Sequence, residues 1–150
     1  MAMIKKYKVV VVLALAVLAG GVLFLARMYR RDTQALEGFA ASYENFDRAM
    51  ADFSVNQSND TEVRAIDALA ELHAKSDFPL SSLVKNDALI PPAAHEIWDL
   101  SGKELYVLDA YQSAIKNKRT DVDWLAPEYG DLAAKRKAAY ARFQRLAEIQ

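Results

Sequence analysis

His73 and His95 are the residues in this 150-residue chain best suited to carry chemistry. Placed on two helices of a bundle, a pair of imidazoles can ligate haem, or a metal when Met50 or a carboxylate completes the set. The usual signatures of such sites are missing: there is no Cys-x-x-Cys-His, no His-Glu-x-x-His and no Glu-x-x-His. Structural histidines are therefore the expectation. Asp121, Asp123, Glu128 and Asp131 crowd acidic oxygens into one stretch, as calcium would require, but their spacing matches no EF-hand loop. Thr120 to Asp123 and Asp131 read as helix caps instead.

Other reaction classes also lack their residues. The chain has no cysteine, which removes disulfides, thiolate metal sites and a lipid-modified cysteine anchor. It shows no Walker loop, no glycine fingerprint, no Gly-x-Ser-x-Gly and no paired catalytic carboxylates. A non-catalytic protein without metal or cofactor is expected.

The elements that would position these side chains begin with Val9 to Ala26, eighteen residues without a charge. As a helix the run spans about 27 Å, close to the hydrocarbon thickness of a thin bilayer. Lys5, Lys6 and Lys8 flank it on one side and Arg27, Arg30 and Arg31 on the other, able to snorkel their charges to head groups. The alternative is a cleaved signal peptide with its site at Val17-Leu18-Ala19, but the apolar run continues past that point, which favours a retained signal anchor. The basic flanks nearly balance. A short basic tail ahead of a first apolar segment points to a cytoplasmic N-terminus and an exported C-terminal domain, in a bacterial inner membrane. The reverse topology would put the arginines on anionic lipid in the cytoplasm. Ala16, Gly20 and Gly21 supply small residues for helix-helix packing in the membrane, and thus for homo- or hetero-oligomers.

From Asp32 onward 13 basic residues face 20 acidic ones, a formal charge of −7, which argues against a nucleic-acid partner. Leu36, Phe39, Tyr43, Phe46, Met50 and Phe53 recur at spacings of three and four, a heptad seam with aromatic occupants. Stepped backwards, the register passes Asp32, Tyr29 and Leu25 without a proline or turn cluster. One rod is expected to run from the anchor into the first bundle helix.

A second helix is expected from a cap at Asn59 with Glu62, carrying Val63, Ile66, Ala70 and His73 on an inward stripe beside Leu69 and Leu72. Asn56–Ser58 and Asn59–Thr61 also match the glycosylation acceptor pattern, which arises by chance in polar turns. Pro79 to Pro92 reads as an irregular segment with a reversal at Asn86-Asp87 and an extended Ala88-Leu89-Ile90. A third helix from Pro92 or Ala93 to Asn117 would turn Ile97, Leu100, Leu105, Leu108, Tyr111 and Ile115 inward, with a kink or restart at Ser101-Gly102. The last is expected from Asp131 to Glu148, inward at Leu132, Ala139, Tyr140, Phe143, Leu146 and Ala147.

The fold class that follows is all-α. A single N-terminal transmembrane helix continues into the first helix of an antiparallel, up-down four-helix bundle. Residues 1–8 form a basic tail, 9–28 the anchor and 29–150 the extramembrane domain. The basic last helix would lie beside the acidic first one, bringing Arg142 and Arg145 back towards the head groups. The functional expectation is a single-pass accessory or scaffold subunit of an envelope complex. Its partners would be membrane lipid and other membrane-protein subunits, with Trp98, Trp124, Lys135, Arg136 and Lys137 as exposed contact residues. The alternative is a tethered sensor holding a small ligand between its helices.

Overall fold

The computed structural model of the chain describes residues 2–120 and 122–148, with side chains from Leu13 onward. Among the described residues the chain is all-helical, with four helices: α1 (Ala2–Val55), α2 (Asn59–Ser76), α3 (Ile90–Lys116) and α4 (Leu125–Ala147). α1 is unbroken over 54 residues, about 81 Å at the helical rise. Its lower part carries the apolar run, whose side chains from Leu13 to Leu25 are exposed. Its upper part buries Asp32, Leu36, Phe39, Tyr43, Phe46, Met50 and Phe53, the whole heptad seam.

α2 starts one residue earlier in its capping chemistry than the sequence suggests. Ser58 is the N-cap and Thr61 closes the capping box, each side chain bonding the other's backbone amide. Its buried stripe is Thr61, Ala65, Ala68, Leu72 and Ser76, and the expected inward stripe of Val63, Ile66, Ala70 and His73 is exposed. Both stripes have helical spacing. The alanines win because α2 packs most closely against α1, and small side chains permit that approach.

The segment after α2 folds back over the base of the bundle. Asn86 takes a left-handed conformation (φ 62°), which asparagine tolerates, and makes the expected reversal. Ala88-Leu89-Ile90 is not extended: α3 begins at Ile90 with proline in its first turn, where a missing N–H costs no bond. α3 also runs without the expected break at Ser101-Gly102. The Ser101 hydroxyl donates to the Ile97 carbonyl at 2.7 Å, satisfying itself inside the helix. Ile115, expected inward, is exposed. α4 begins at Leu125, six residues before the expected start at Asp131.

The bundle is antiparallel, α1 and α3 rising and α2 and α4 returning. Large rings fill the space between α1 and α4: Tyr43 stacks on Tyr140 at 3.6 Å, and Phe39 meets Phe143 at 4.7 Å and Phe78 at 6.0 Å. A smaller cluster of Val107, Ala114, Val122 and Leu125 closes the far end. There Gln112 donates to the Phe53 carbonyl at 2.9 Å, covering one of the orphan acceptors at the end of α1.

Candidate functional site

The strongest polar constellation lies inside the bundle, at Arg136 of α4. Its side chain is 2% exposed, so the expectation of a surface contact residue is corrected. Nε donates to Glu104 of α3 at 2.5 Å, and Nη2 donates to Asp47 of α1 at 2.7 Å. The guanidinium also lies over the rings of Tyr43 (5.2 Å) and Phe46 (5.3 Å), a cation–π arrangement. Burial opposes the charge, but the bonds and charge of Glu104, with help from Tyr43 and Asp47, outweigh it and hold the guanidinium pKa above its usual value. Burial pushes the Tyr43 phenol up to about 12, so it stays neutral beside the cation. Arg136 Nη1 has no partner among the described residues. Three helices thus converge on one planar, charged fork. Chemically this is a device that fixes the register of three helices.

A second constellation sits at the base. Asp32 is fully buried on the seam and accepts bonds from the Ser81 hydroxyl and from the Ser81 amide at 3.1 Å, while Arg31 pairs with it from outside at 3.1 Å. Burial by itself would raise its pKa. The two Ser81 bonds and the Arg31 charge outweigh it, and the carboxyl is held below its usual 3.8. Alongside, Asn86 donates to the Leu146 carbonyl at the end of α4, and Lys85 pairs with Glu148. Between these elements a cavity of about 410 Å³ opens beside Tyr29, Thr33, Leu83 and Lys85.

The residues singled out for chemistry do not converge. His73 and His95 are exposed and share Trp98: His73 stacks on it at 4.2 Å and His95 meets its edge at 6.3 Å. Met50 is buried in the seam. Asp121 lies outside the described residues. Asp123 and Glu128 are exposed, and Asp131 pairs with Lys135 one turn on at 2.6 Å. No group of three or more residues able to hold a metal occurs among the described residues.

Of the contact candidates, Trp124, Lys135 and Lys137 are exposed and Trp98 is half-buried against His73. Arg142, in the last turns of α4, pairs with Glu96 of α3. Ala16, Gly20 and Gly21 are exposed, and an added Cβ at either glycine would meet nothing within 4 Å. Arg27, Arg30 and Arg31 are exposed, while the side chains of Lys5, Lys6 and Lys8 lie outside the described residues.

An apolar face on α2 and α3 escaped the sequence reading because Val63 and Ile66 had been assigned inward. Val63 is exposed on α2, and Ile66 and Tyr106 (75% exposed) line a shallow cleft of about 180 Å³ with Glu62 and Asp109. Glu104 and Arg136 could have been found. Ile97, Ser101, Glu104 and Leu108 lie on one stripe of α3, and Leu132, Arg136, Ala139 and Phe143 on one stripe of α4.

No family model matches the chain, and neither does any curated protein or solved structure. The class is set by the fold alone, a four-helix bundle on a long N-terminal helix. Among the described residues, that helix is the one long and apolar enough to cross a membrane.

Proposed function

We propose that this chain is a non-catalytic, single-pass accessory or scaffold subunit of a bacterial inner-membrane complex, with its N-terminus in the cytoplasm and its bundle in the periplasm. The observation that carries the reading is α1 itself. One unbroken helix bears both the exposed apolar run and the buried seam of the bundle, so the domain is held on a stiff rod rather than a flexible linker. A rod suits a part that must present a surface at a fixed height and orientation. The interior supports the same reading, since Phe39, Phe46, Phe53 and Phe143 fill it and leave the clefts at the surface. The α2–α3 face of Val63, Ile66 and Tyr106 is the surface best suited to another subunit, because exposed apolar side chains with an acidic rim match a partner with an apolar patch and basic border.

Extraction of the native membrane complex in mild detergent, with mass spectrometry of what accompanies the chain, tests the proposal. Stoichiometric membrane subunits are expected, and they should be lost from a chain carrying Ile66→Glu and Tyr106→Glu. A chain that migrates alone and is stabilised by a small ligand would sink the scaffold reading in favour of a ligand-binding module. The topology has a separate check in a periplasm-dependent reporter fused after Gln150, which must be active.

A further inference from the structure

We infer that the turn segment between α2 and α3, through Leu83 and Leu89, is a second membrane contact that seats the base of the bundle in the phospholipid head-group layer. The inference rests on α1 being membrane-anchored as proposed above, and adds that the domain lies on the bilayer instead of standing clear of it. The argument is one of height. Asp32 lies six residues above Ala26, where the apolar run ends, so it stands about 9 Å above the hydrocarbon edge along a straight helix. Tyr29 stands about 4.5 Å above it by the same rise. The head-group layer of one leaflet is roughly 5–7 Å deep, so both residues lie in or just above it.

The base of the bundle is fastened at this height by three bonds. Ser81 bonds the Asp32 carboxylate, Asn86 bonds the carbonyl of Leu146, and Lys85 pairs with Glu148. The segment between Ser81 and Ile90 is thus held at the base, and beside the exposed Ser82 and Lys85 it leaves two leucines uncovered. Leu83 is 41% and Leu89 56% exposed, and Tyr29 is exposed beside Leu83 on the wall of the basal cavity. Aliphatic side chains exposed to water would lose nothing by being moved; exposed at a bilayer surface, they gain by entering it. Arg27, Arg30 and Arg31 are exposed on one face of the rod at the same level, which suits phosphate groups and anionic lipid. At the other end of the bundle Ile115 is exposed as well, but it stands at the end of α3 farthest from the anchor.

The absence of cysteine makes a direct test simple. Leu18→Cys, Leu83→Cys and Ile115→Cys would each carry an environment-sensitive fluorophore on the full chain. Each labelled chain is reconstituted in nanodiscs of phosphatidylethanolamine and phosphatidylglycerol, with and without lipids bearing quenchers at the head-group boundary and midway along the acyl chain. Quenching at 18 and 83 but not at 115 is the expected result. Adding Leu89→Glu to the Leu83→Cys chain should weaken quenching at 83 while leaving helical circular dichroism and quenching at 18 unchanged. Quenching at 18 alone would overturn the basal contact and leave the anchor intact. Quenching at none of the three would remove the anchor and the contact together. Equal quenching at all three would overturn the seat at the base, since the bundle would then lie on its side.

Discussion

Arg136→Met removes the cation on which three helices converge while keeping most of the side-chain volume that packs on Tyr43 and Phe46. The carboxylate of Glu104, fully buried, would be left without its counter-charge, whereas Asp47 is 40% exposed and would turn to water. Nearly all of the effect should therefore come from Glu104. Stranding one member of a buried pair costs about 3–5 kcal/mol, and the Asp47 arm should add about 0.5 kcal/mol at its exposure. For an extramembrane domain of this size, 1 kcal/mol moves the midpoint by roughly 3–5 °C, so the bundle should melt about 10–28 °C lower.

The paired change Arg136→Met with Glu104→Leu removes the charge and its partner together. Because apolar replacement of a whole buried pair is often neutral or better, the double variant should recover to within about 1.5 kcal/mol of the parent. Thermal melts of the full chain in mild detergent, followed by far-ultraviolet circular dichroism, give the four corners of the cycle. Additive costs, or a single Arg136→Met variant melting within a few degrees of the parent, would refute the claim that this network is a coupled interior unit.

Five other changes probe the rest of the architecture. Asp32→Asn should destabilise the bundle by about 1–3 kcal/mol at neutral pH, as the charge-assisted bonds from Ser81 weaken. Since the carboxyl of Asp32 lies below its usual 3.8 in the folded chain, its contribution is complete above that value and fades as pH falls through the folded value. Melts at stepped pH should accordingly show the difference between parent and variant shrinking below about pH 4. Phe39→Ala empties the junction of α1, α4 and Phe78 and should cost about 3–5 kcal/mol by the same melt, while Phe24→Ala, in the exposed apolar run, should leave the bundle midpoint unchanged. Ser58→Ala strips the cap of α2 and should cost about 1 kcal/mol, with faster amide exchange confined to the first turn of that helix. Arg30→Pro should kink α1 between anchor and bundle, visible as a broader distance distribution between spin labels at positions 18 and 115; an unchanged distribution would mean that the junction is not the straight helix seen here.

The division between what was legible in the sequence and what was not runs through particular residues. α1 could be read almost completely. Its apolar run and its seam are made of large side chains in strict register with no breaker between them, and a helix of that kind is decided by local spacing. The register even reached Asp32, the one polar member of the buried seam. Helix α2 could not be oriented the same way, because Val63 and Ile66 form as regular a stripe as Ala65 and Ala68. Hydrophobicity favours the larger residues, but the close approach of α1 needs the smaller ones, and that approach exists only once the helices pack.

Arg136 shows the same limit in its sharpest form. By type it is a surface residue, and an isolated cation costs too much to bury. It is buried because Glu104 and Asp47, 32 and 89 positions away in the chain, arrive at the same point from two other helices. The sequence by itself therefore determined the four helices and the rod, since these depend on neighbours three and four residues apart. Which face each helix turns inward, where the charges are buried and what the base of the bundle presents were decided by the tertiary structure alone, because they depend on partners that only packing brings together.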